Sequence, residues 1–128
     1  MVIDASAATT LCLTSDGFDL VSHDLQAPIL LRSEALAGIQ GMQWREDISA
    51  ELATAAVGRL LRAPISLIRR TEVLTEARRL ALEFGWAKTY DAEYVALAQL
   101  SHEPLLTIDA RLARRIGDLV EVKFPSAL

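Results

Sequence analysis

A chain of 128 residues, of which 52% are hydrophobic, has the size of one ordinary domain and is long enough to bury a core. Its formal net charge of −4 argues against a simple basic nucleic-acid binder, which usually presents a positive face. The single cysteine, Cys12, excludes an internal disulfide framework and a cysteine-based zinc site. We therefore predict a single domain over residues 1–128, with Cys12 as a small core residue.

The sequence predicts no export or membrane segment. No basic stretch precedes a long apolar run at the start of the chain, which argues against a signal peptide. No run of about 18 apolar residues is present, so we expect no membrane span. The expected location is the cytoplasm.

The first part of the chain predicts a strand followed by a helix. Residues 1–4 are expected to form a short buried strand, and residues 5–14 a helix capped by Asp4 or Ser6. Residues 18–27 are ambiguous, because their alternation suits a strand while a loop or a helical turn is equally compatible.

A second helix is predicted from Pro28 to about residue 42, because proline is favoured at the first helical position. On this helix, Glu34 shares a stripe with Gly38 and Gly41 at helical spacing. The small residues would let the helix approach another element closely. Glu34 is therefore expected at a close contact instead of in open solvent.

The rest of the chain alternates between helices and strands. The predicted elements are a helix capped by Ser49 and ending at residue 61, a strand over 65–68, a helix capped by Thr71 and ended by Gly85, a helix capped by Thr89, a strand over 104–108, a helix over 110–116 and a strand over 119–124. Strands separated by helices imply parallel crossover connections. We therefore predict an α/β fold, with a parallel sheet inside an α/β/α sandwich.

Three carboxylates are directed to one edge of this predicted sheet. Asp4 and Asp109 each follow a strand, and Asp91 lies in the first turn of a helix. Ligands bind at the edge where parallel strands end and helices begin. Clustered carboxylates repel each other unless a cation lies between them, and Mg²⁺ takes oxygen ligands. Each acid also has an ordinary explanation, since Asp4 and Asp109 suit helix N-caps, Asp91 suits the helix dipole and Glu34 suits a solvated surface.

Other chemical signatures are missing from the sequence. It contains no glycine-rich phosphate loop and no nucleophile elbow. His23 and His102 are isolated, without metal-ligand spacing. Trp44 and Trp86 are interpreted as packing residues rather than base-stacking ones. The arginine clusters, including the one in residues 111–115, are interpreted as solvated faces, with steering of a phosphate backbone as the alternative.

The chain resembles PIN domains, and more narrowly the VapC-type toxin ribonucleases of toxin–antitoxin modules. The resemblance lies in MVIDAS at the start, AP followed by Glu34 on a helix, YDAEYVALA around Asp91, and LLTID ending at Asp109. It covers nearly the whole chain, and the ordered set of four acids is its specific part. It implies the PIN-type α/β/α sandwich, with Asp4, Glu34, Asp91 and Asp109 in one pocket.

The resemblance also implies an activity and partners. It implies Mg²⁺- or Mn²⁺-dependent cleavage of RNA, neutralisation by a small antitoxin protein, and a homodimer. Ser6 and Thr107 match hydroxyl positions that orient a carboxylate or a water beside the acids. The family often has a further acidic position, to which Glu93 is not assigned because it would point at least a third of a turn away from Asp91. The number of metal ions therefore stays open.

The residues themselves agree with this mechanism. Without a histidine or cysteine nucleophile, hydrolysis needs a metal to lower the pKa of water and to screen the phosphate. We assign Asp4 and Asp91 as principal metal ligands and Asp109 as the ligand that completes the set. Glu34 would hold a water at the metal or act as its base.

Two alternatives remain at this point. One is a receiver-like signalling module, an α/β domain of similar size with Mg²⁺-binding acids after strands, for which Lys123 in the last strand is suggestive. Against it, Asp4 has no adjacent acidic partner and Asp91 belongs to a helix. The other alternative is a catalytically inert PIN scaffold that only binds a partner.

Overall fold

The computed structural model of the chain describes residues 1–127. Residue 128, which the single-domain prediction includes, lies outside the described residues. Within the described range, the strands are β1 (Val2–Ile3), β2 (Leu25–Pro28), β3 (Ile65–Ile68), β4 (Leu105–Leu106) and β5 (Val122–Lys123). The α-helices are α1 (Ala5–Cys12), α2 (Leu31–Trp44), α3 (Ala50–Leu61), α4 (Thr71–Phe84), α5 (Tyr90–Ser101) and α6 (Ala110–Ile116). No helix in residues 1–127 is both long enough and apolar enough to cross a membrane.

The strands form a five-stranded sheet in the order β3-β2-β1-β4-β5. All neighbouring strands are parallel, and in the central strand β1 Val2 pairs with Gln26 on one side and Leu105 on the other. The predicted parallel-sheet α/β/α fold is therefore confirmed. The chain builds outwards from β1 through β2 to β3, then returns to the other side of β1 for β4 and β5. Ligands of open parallel sheets bind at such a reversal, which here lies between β1 and β4.

Two apolar clusters stabilise this arrangement. The larger one surrounds β1 and β4, whose residues are fully buried, as expected for central parallel strands. The smaller one joins the end of α1 to α2 and α3 and contains Cys12. Burial raises the pKa of the Cys12 thiol to about 11, which agrees with its interpretation as a small core residue.

The segment left ambiguous by its sequence contains an interior strand. Phe18–Leu20 form a single turn of 3₁₀ helix, and Leu25–Pro28 form β2. The prediction that Pro28 opens a helix is wrong, because Pro28 is the last residue of β2 and pairs with Ile68. The fixed φ angle of proline suits an extended strand as well as a first helical turn, so proline alone did not separate the two.

The predicted helix ends are only partly correct. The Ser49 hydroxyl accepts the N–H of Leu52 at 3.1 Å, and Gly85 ends α4 with a φ of +71°. Thr71 is not a cap, because it is the first residue of α4 and Arg70 occupies the cap position. Thr89 does occupy the cap position of α5, but its side chain makes no capping hydrogen bond.

The buried face of α2 lies one residue away from the predicted stripe. Leu31, Ala35 and Ile39 are buried, whereas Glu34 is only half-buried beside them. The expected close approach occurs at Gly38, where a Cβ atom would lie 3.3 Å from the Thr9 hydroxyl of α1. α2 therefore rests against α1 and holds Glu34 near the edge of the sheet.

Candidate functional site

Asp4 lies where β1 ends and α1 begins, and it is only 5% exposed. Its Oδ1 accepts the Ser6 hydroxyl at 2.7 Å and the Ala7 N–H at 2.9 Å. Its Oδ2 accepts the Thr107 hydroxyl. Asp4 therefore caps α1, as predicted, and two hydroxyl groups fix its carboxylate in one orientation.

These hydroxyl groups join the ends of β1 and β4. The Thr107 side chain is fully buried, and its Oγ1 accepts the N–H of Asp109 at 3.0 Å. Ser6 Oγ accepts the N–H of Ile108 at 3.2 Å. The single proton of each hydroxyl is directed to Asp4, while its lone pairs bind the chain that follows β4. The two strand ends on either side of the reversal are thus held together through Asp4.

Asp109 is the N-cap of α6. Its Oδ1 accepts the N–H groups of Arg111 at 2.9 Å and Leu112 at 3.1 Å. Among the described residues, no donor bonds to its Oδ2. Asp109 therefore satisfies the helix end with one oxygen and keeps the other available.

Glu34 reaches the site from the first turn of α2. Its Oε1 accepts the Tyr94 hydroxyl at 2.6 Å, and Tyr94, on α5, is only 1% exposed. Burial, opposed by this hydrogen bond, raises the pKa of Glu34, and the charges of Asp91 and Asp4 raise it further. The carboxylate of Glu34 is thus held on the same side of the molecule as those two acids.

Asp91 lies in the first turn of α5 and is the most accessible of the acids already described. Although the residue is exposed, partial burial of its carboxylate raises its pKa, the Asp109 charge raises it further and the Arg115 charge lowers it. The pKa of Asp4 is also raised, mainly by burial and in smaller part by the Asp91 charge. The structure therefore brings Asp4, Glu34, Asp91 and Asp109 close enough to influence one another. We call this group the acidic cluster.

A further acid, Glu93, lies beside the acidic cluster. Burial raises its pKa, and the charge of Glu34 raises it further. Its spacing from Asp91 gave no reason to assign it, because two residues on one helical turn point in different directions. The charge effect comes from Glu34, which lies on α2, so it depends on how the fold places α2 relative to α5 and could not be found from local spacing.

The donor chemistry of the acidic cluster fits a hard divalent cation, since all of its donors are carboxylate oxygens and Mg²⁺ binds oxygen ligands. The carboxylates of the cluster are farther apart than the ligands of a single metal ion. Within residues 1–127, no group of three or more histidine, cysteine, aspartate or glutamate side chains is close enough to hold one ion. The carboxylates that raise each other's pKa would be stabilised by a cation between them.

The strand order also bears on the receiver-like alternative. Flavodoxin-like receiver domains have the order 2-1-3-4-5, whereas this sheet has the order 3-2-1-4-5. The amino group of Lys123 lies 3.4 Å from a carboxylate oxygen of Glu121. The fold therefore gives no support to a receiver module.

Comparisons with known proteins agree with the fold and add a family. No family model matches the chain. Two curated relatives, both named Ribonuclease VapC12 and from two strains of Mycobacterium tuberculosis, are each 30% identical over 128 residues, covering 96% of this chain and 97% of the relative. The crystal structure of PAE2754 from Pyrobaculum aerophilum superposes with a TM-score of 0.74 at 22% identity, over 98% of this chain and 90% of that chain. That structure supports the PIN-type fold, and the similarity to the curated relatives shows that the chain belongs to the VapC ribonuclease family.

Proposed function

We propose that this protein is a metal-dependent ribonuclease that hydrolyses phosphodiester bonds of RNA and acts as the toxin of a toxin–antitoxin pair in the cytoplasm. The observation that carries the proposal is that Asp4 and Asp109 follow the strands on either side of the reversal point of the sheet, with Asp91 and Glu34 close to them. Family membership supports RNA as the substrate, because the curated relatives are named as ribonucleases.

Asp4, Asp91 and Asp109 are the residues that would hold Mg²⁺ or Mn²⁺. Asp4 Oδ2 accepts one hydrogen bond and keeps a lone pair, since each carboxylate oxygen offers about two acceptor sites. Asp109 keeps its Oδ2, and Asp91 has no hydrogen bond to its carboxylate among the described residues. A bound divalent cation supplies positive charge that screens the phosphate and makes water more acidic.

Glu34 is assigned to the proton transfer. Its raised pKa brings the carboxylate closer to the working pH, which favours a general base. The Tyr94 hydroxyl fixes Oε1, so Oε2 is left to accept a proton from water. The hydroxyls of Ser6 and Thr107 orient Asp4 and take no direct part in the reaction.

The test is cleavage of a labelled RNA by the purified protein. We expect cleavage with Mg²⁺ or Mn²⁺ and none with a chelator. The Asp4→Asn and Asp91→Asn variants should cut at least about 100-fold more slowly, because each removes a charge that holds the metal. The matched control is Asp19→Asn, an exposed aspartate outside the cluster, which should cut like wild type.

Two results would decide against this assignment. Wild-type rates in Asp4→Asn or Asp91→Asn protein would show that the acidic cluster is not the active site. Binding of Mn²⁺ without any RNA turnover would favour the alternative of an inert scaffold that binds a partner.

The partner is proposed to be a small antitoxin whose tail enters the acidic cluster with a basic side chain. Opposite charge favours this occupant, because a cation relieves the repulsion among the carboxylates. The chain expressed alone should arrest growth, and co-expression of the antitoxin should restore it. Unchanged growth at high expression of the free chain would argue against the toxin role.

The protein is also proposed to be a homodimer. Closed two-fold dimers are the commonest soluble oligomers. Light scattering coupled to size-exclusion chromatography should give twice the mass of the 14.0 kDa chain. A mass of one chain at all concentrations would contradict this.

A further inference from the structure

A stack of aromatic and cationic side chains lies beside the acidic cluster. The rings of Phe84 and Trp86 are stacked, with centroids 5.8 Å apart and an interplanar angle of 29°. The guanidinium carbon of Arg115 lies 4.6 Å from the centroid of the Trp86 ring, which is cation–π distance. The stack joins the end of α4 to the end of α6 and holds the planar guanidinium in a defined place.

The charges of Arg115 and Lys88 are the second feature of this region. Among residues 1–127, no carboxylate lies within salt-bridge distance of Arg115 or of Lys88. Arg115 is nevertheless close enough to Asp91 to lower the pKa of that carboxyl group. An exposed arginine that stacks on an aromatic ring keeps its N–H groups available for an anion.

Both cations line one cleft. Its volume is about 260 Å³, and it is lined by Gly85, Trp86, Ala87, Lys88, Asp91 and Arg115. Because Asp91 lines the cleft, the cleft adjoins the acidic cluster at that residue. A guanidinium and an ammonium group in one cleft match a phosphate group, the first through paired hydrogen bonds and the second as a point charge.

We propose that this cleft binds a phosphodiester group of the RNA strand, adjacent to the one cut at the acidic cluster, through Arg115 and Lys88. This inference rests on the proposed function and adds to it the path of the substrate. Trp86 acts as a positioning residue, because its ring already packs against Phe84 and Arg115. The strand then runs from the acidic cluster past the first turn of α5 toward the ends of α4 and α6.

The test is binding of a fluorescent single-stranded RNA, measured by anisotropy with a chelator present. Arg115→Ala and Lys88→Ala should each weaken binding by roughly tenfold, the size expected for one lost charge-assisted contact. Each should also lower the slope of log affinity against log salt by about 0.7, the value for one lost phosphate contact on a single strand. The matched control is Arg78→Ala, which removes an exposed arginine of α4 that does not line the cleft.

Two further variants separate phosphate binding from a purely structural role of the stack. Arg115→Lys keeps the charge but loses the planar fork, so it should restore the salt slope and only part of the affinity. Trp86→Leu should weaken RNA binding, and Trp86→Phe should recover it because a ring again faces the guanidinium. Circular dichroism reports whether each variant is folded.

The inference is overturned if Arg115→Ala and Lys88→Ala bind the RNA with the same affinity as wild type and the Arg78→Ala control. Binding in chelator does not depend on cleavage. A protein that binds through Arg115 but never cuts RNA would refute the proposed function alone. A protein that cuts RNA with unchanged KM in both variants would refute the cleft alone.

Discussion

Asp4 and Asp91 belong to the same acidic cluster, but the protein holds them in opposite ways. Asp4 is buried at a strand end and accepts hydrogen bonds on both oxygens. Asp91 is exposed in the first turn of a helix, and its carboxylate has no hydrogen-bond partner among the described residues. We call Asp4 with Ser6 and Thr107 the fixed half, and Asp91 with its adjoining cleft the open half.

The difference indicates what each half would contribute to metal binding. A buried, hydrogen-bonded carboxylate contributes precision, because its rotamer is already set before a ligand arrives. An exposed carboxylate without hydrogen bonds can change its rotamer to suit a ligand, but its position is not set beforehand. Since no three acids of the described chain are yet close enough to hold one ion, we expect the open half to adjust on binding while the fixed half stays in place.

The largest effect is expected from breaking the fixed half at Thr107. The Thr107→Val substitution keeps the shape but removes a fully buried hydroxyl that donates to Asp4 and accepts from Asp109. The buried carboxylate of Asp4 and the partly buried N–H of Asp109 then each lose a partner, which should lower the free energy of unfolding by about 2–3 kcal/mol. Urea denaturation at neutral pH measures this change.

The matched control for that variant is Thr75→Val, at an exposed position of α4. Surface changes of this kind usually alter stability by less than about 0.5 kcal/mol. Equal losses for Thr107→Val and Thr75→Val would show that the hydroxyl network does not stabilise the fixed half.

A smaller effect is expected from pH. Carboxylates usually make a folded protein more stable as pH rises, and these should make it less stable. The pKa values of Asp4, Glu34 and Asp91 are all raised in the folded protein. In the pH window between the ordinary carboxyl pKa, near 4, and these raised values, the folded protein therefore binds more protons than the unfolded chain. Stability must therefore fall as pH rises through this window. Urea denaturation at a series of pH values, with a chelator present, measures this loss of stability.

A variant of the open half tests whether repulsion among the acids causes this pH dependence. Asp91→Asn removes one of the repelling charges, so its stability should fall less steeply with rising pH than that of wild type. Excess Mg²⁺ should flatten the wild-type curve, because a ligand of the folded state stabilises it by mass action. Identical slopes for wild type and Asp91→Asn in chelator would show that the open half does not repel the fixed half.

The sequence predicted most of the architecture but not β2, the interior strand that joins β3 to β1. Parallel β1 and β4 were predictable because each is a short apolar run that is followed by an aspartate and a clear helix. β2 was not, because LQAP combines one proline with too few residues for a visible alternation. Its strand character comes from pairing with β1 and β3, which is a tertiary effect.

The predicted topology directed Asp4, Asp91 and Asp109 to one edge of the sheet, and the family resemblance added Glu34, whereas the partners of these acids were not predicted. Nothing local links Tyr94 to Glu34, or Arg115 to Trp86, because each pair joins separate helices. Trp86 was interpreted as a packing residue, and it does pack, but on a cation at the edge of the site. The metal, the RNA and the roles assigned to the four acids stay predictions until they are measured.

The smallest effect is expected at Asp109, which caps α6 and repels Asp91 of the open half, and a change there separates the capping role from the site role. Asn is about as good an N-cap as Asp, so Asp109→Asn should keep the hydrogen bonds to Arg111 and Leu112 while removing a charge that repels Asp91. In chelator, this variant should gain a few tenths of a kcal/mol in stability, because the relieved repulsion acts on an exposed group and solvent screens it.

Asp4→Asn should behave differently, because both carboxylate oxygens of Asp4 accept hydrogen bonds and an amide nitrogen cannot. Its loss of acceptors should outweigh the relieved repulsion, so the fixed-half variant should be less stable than wild type in chelator. Thermal midpoints of wild type and both variants, each with chelator and with excess Mg²⁺ or Mn²⁺, measure these changes. Metal should raise the midpoint of wild type and raise those of both variants much less. Equal midpoints in chelator together with equal metal increments would leave Asp4 and Asp109 as helix caps alone, and the proposed metal site would lose its physical basis.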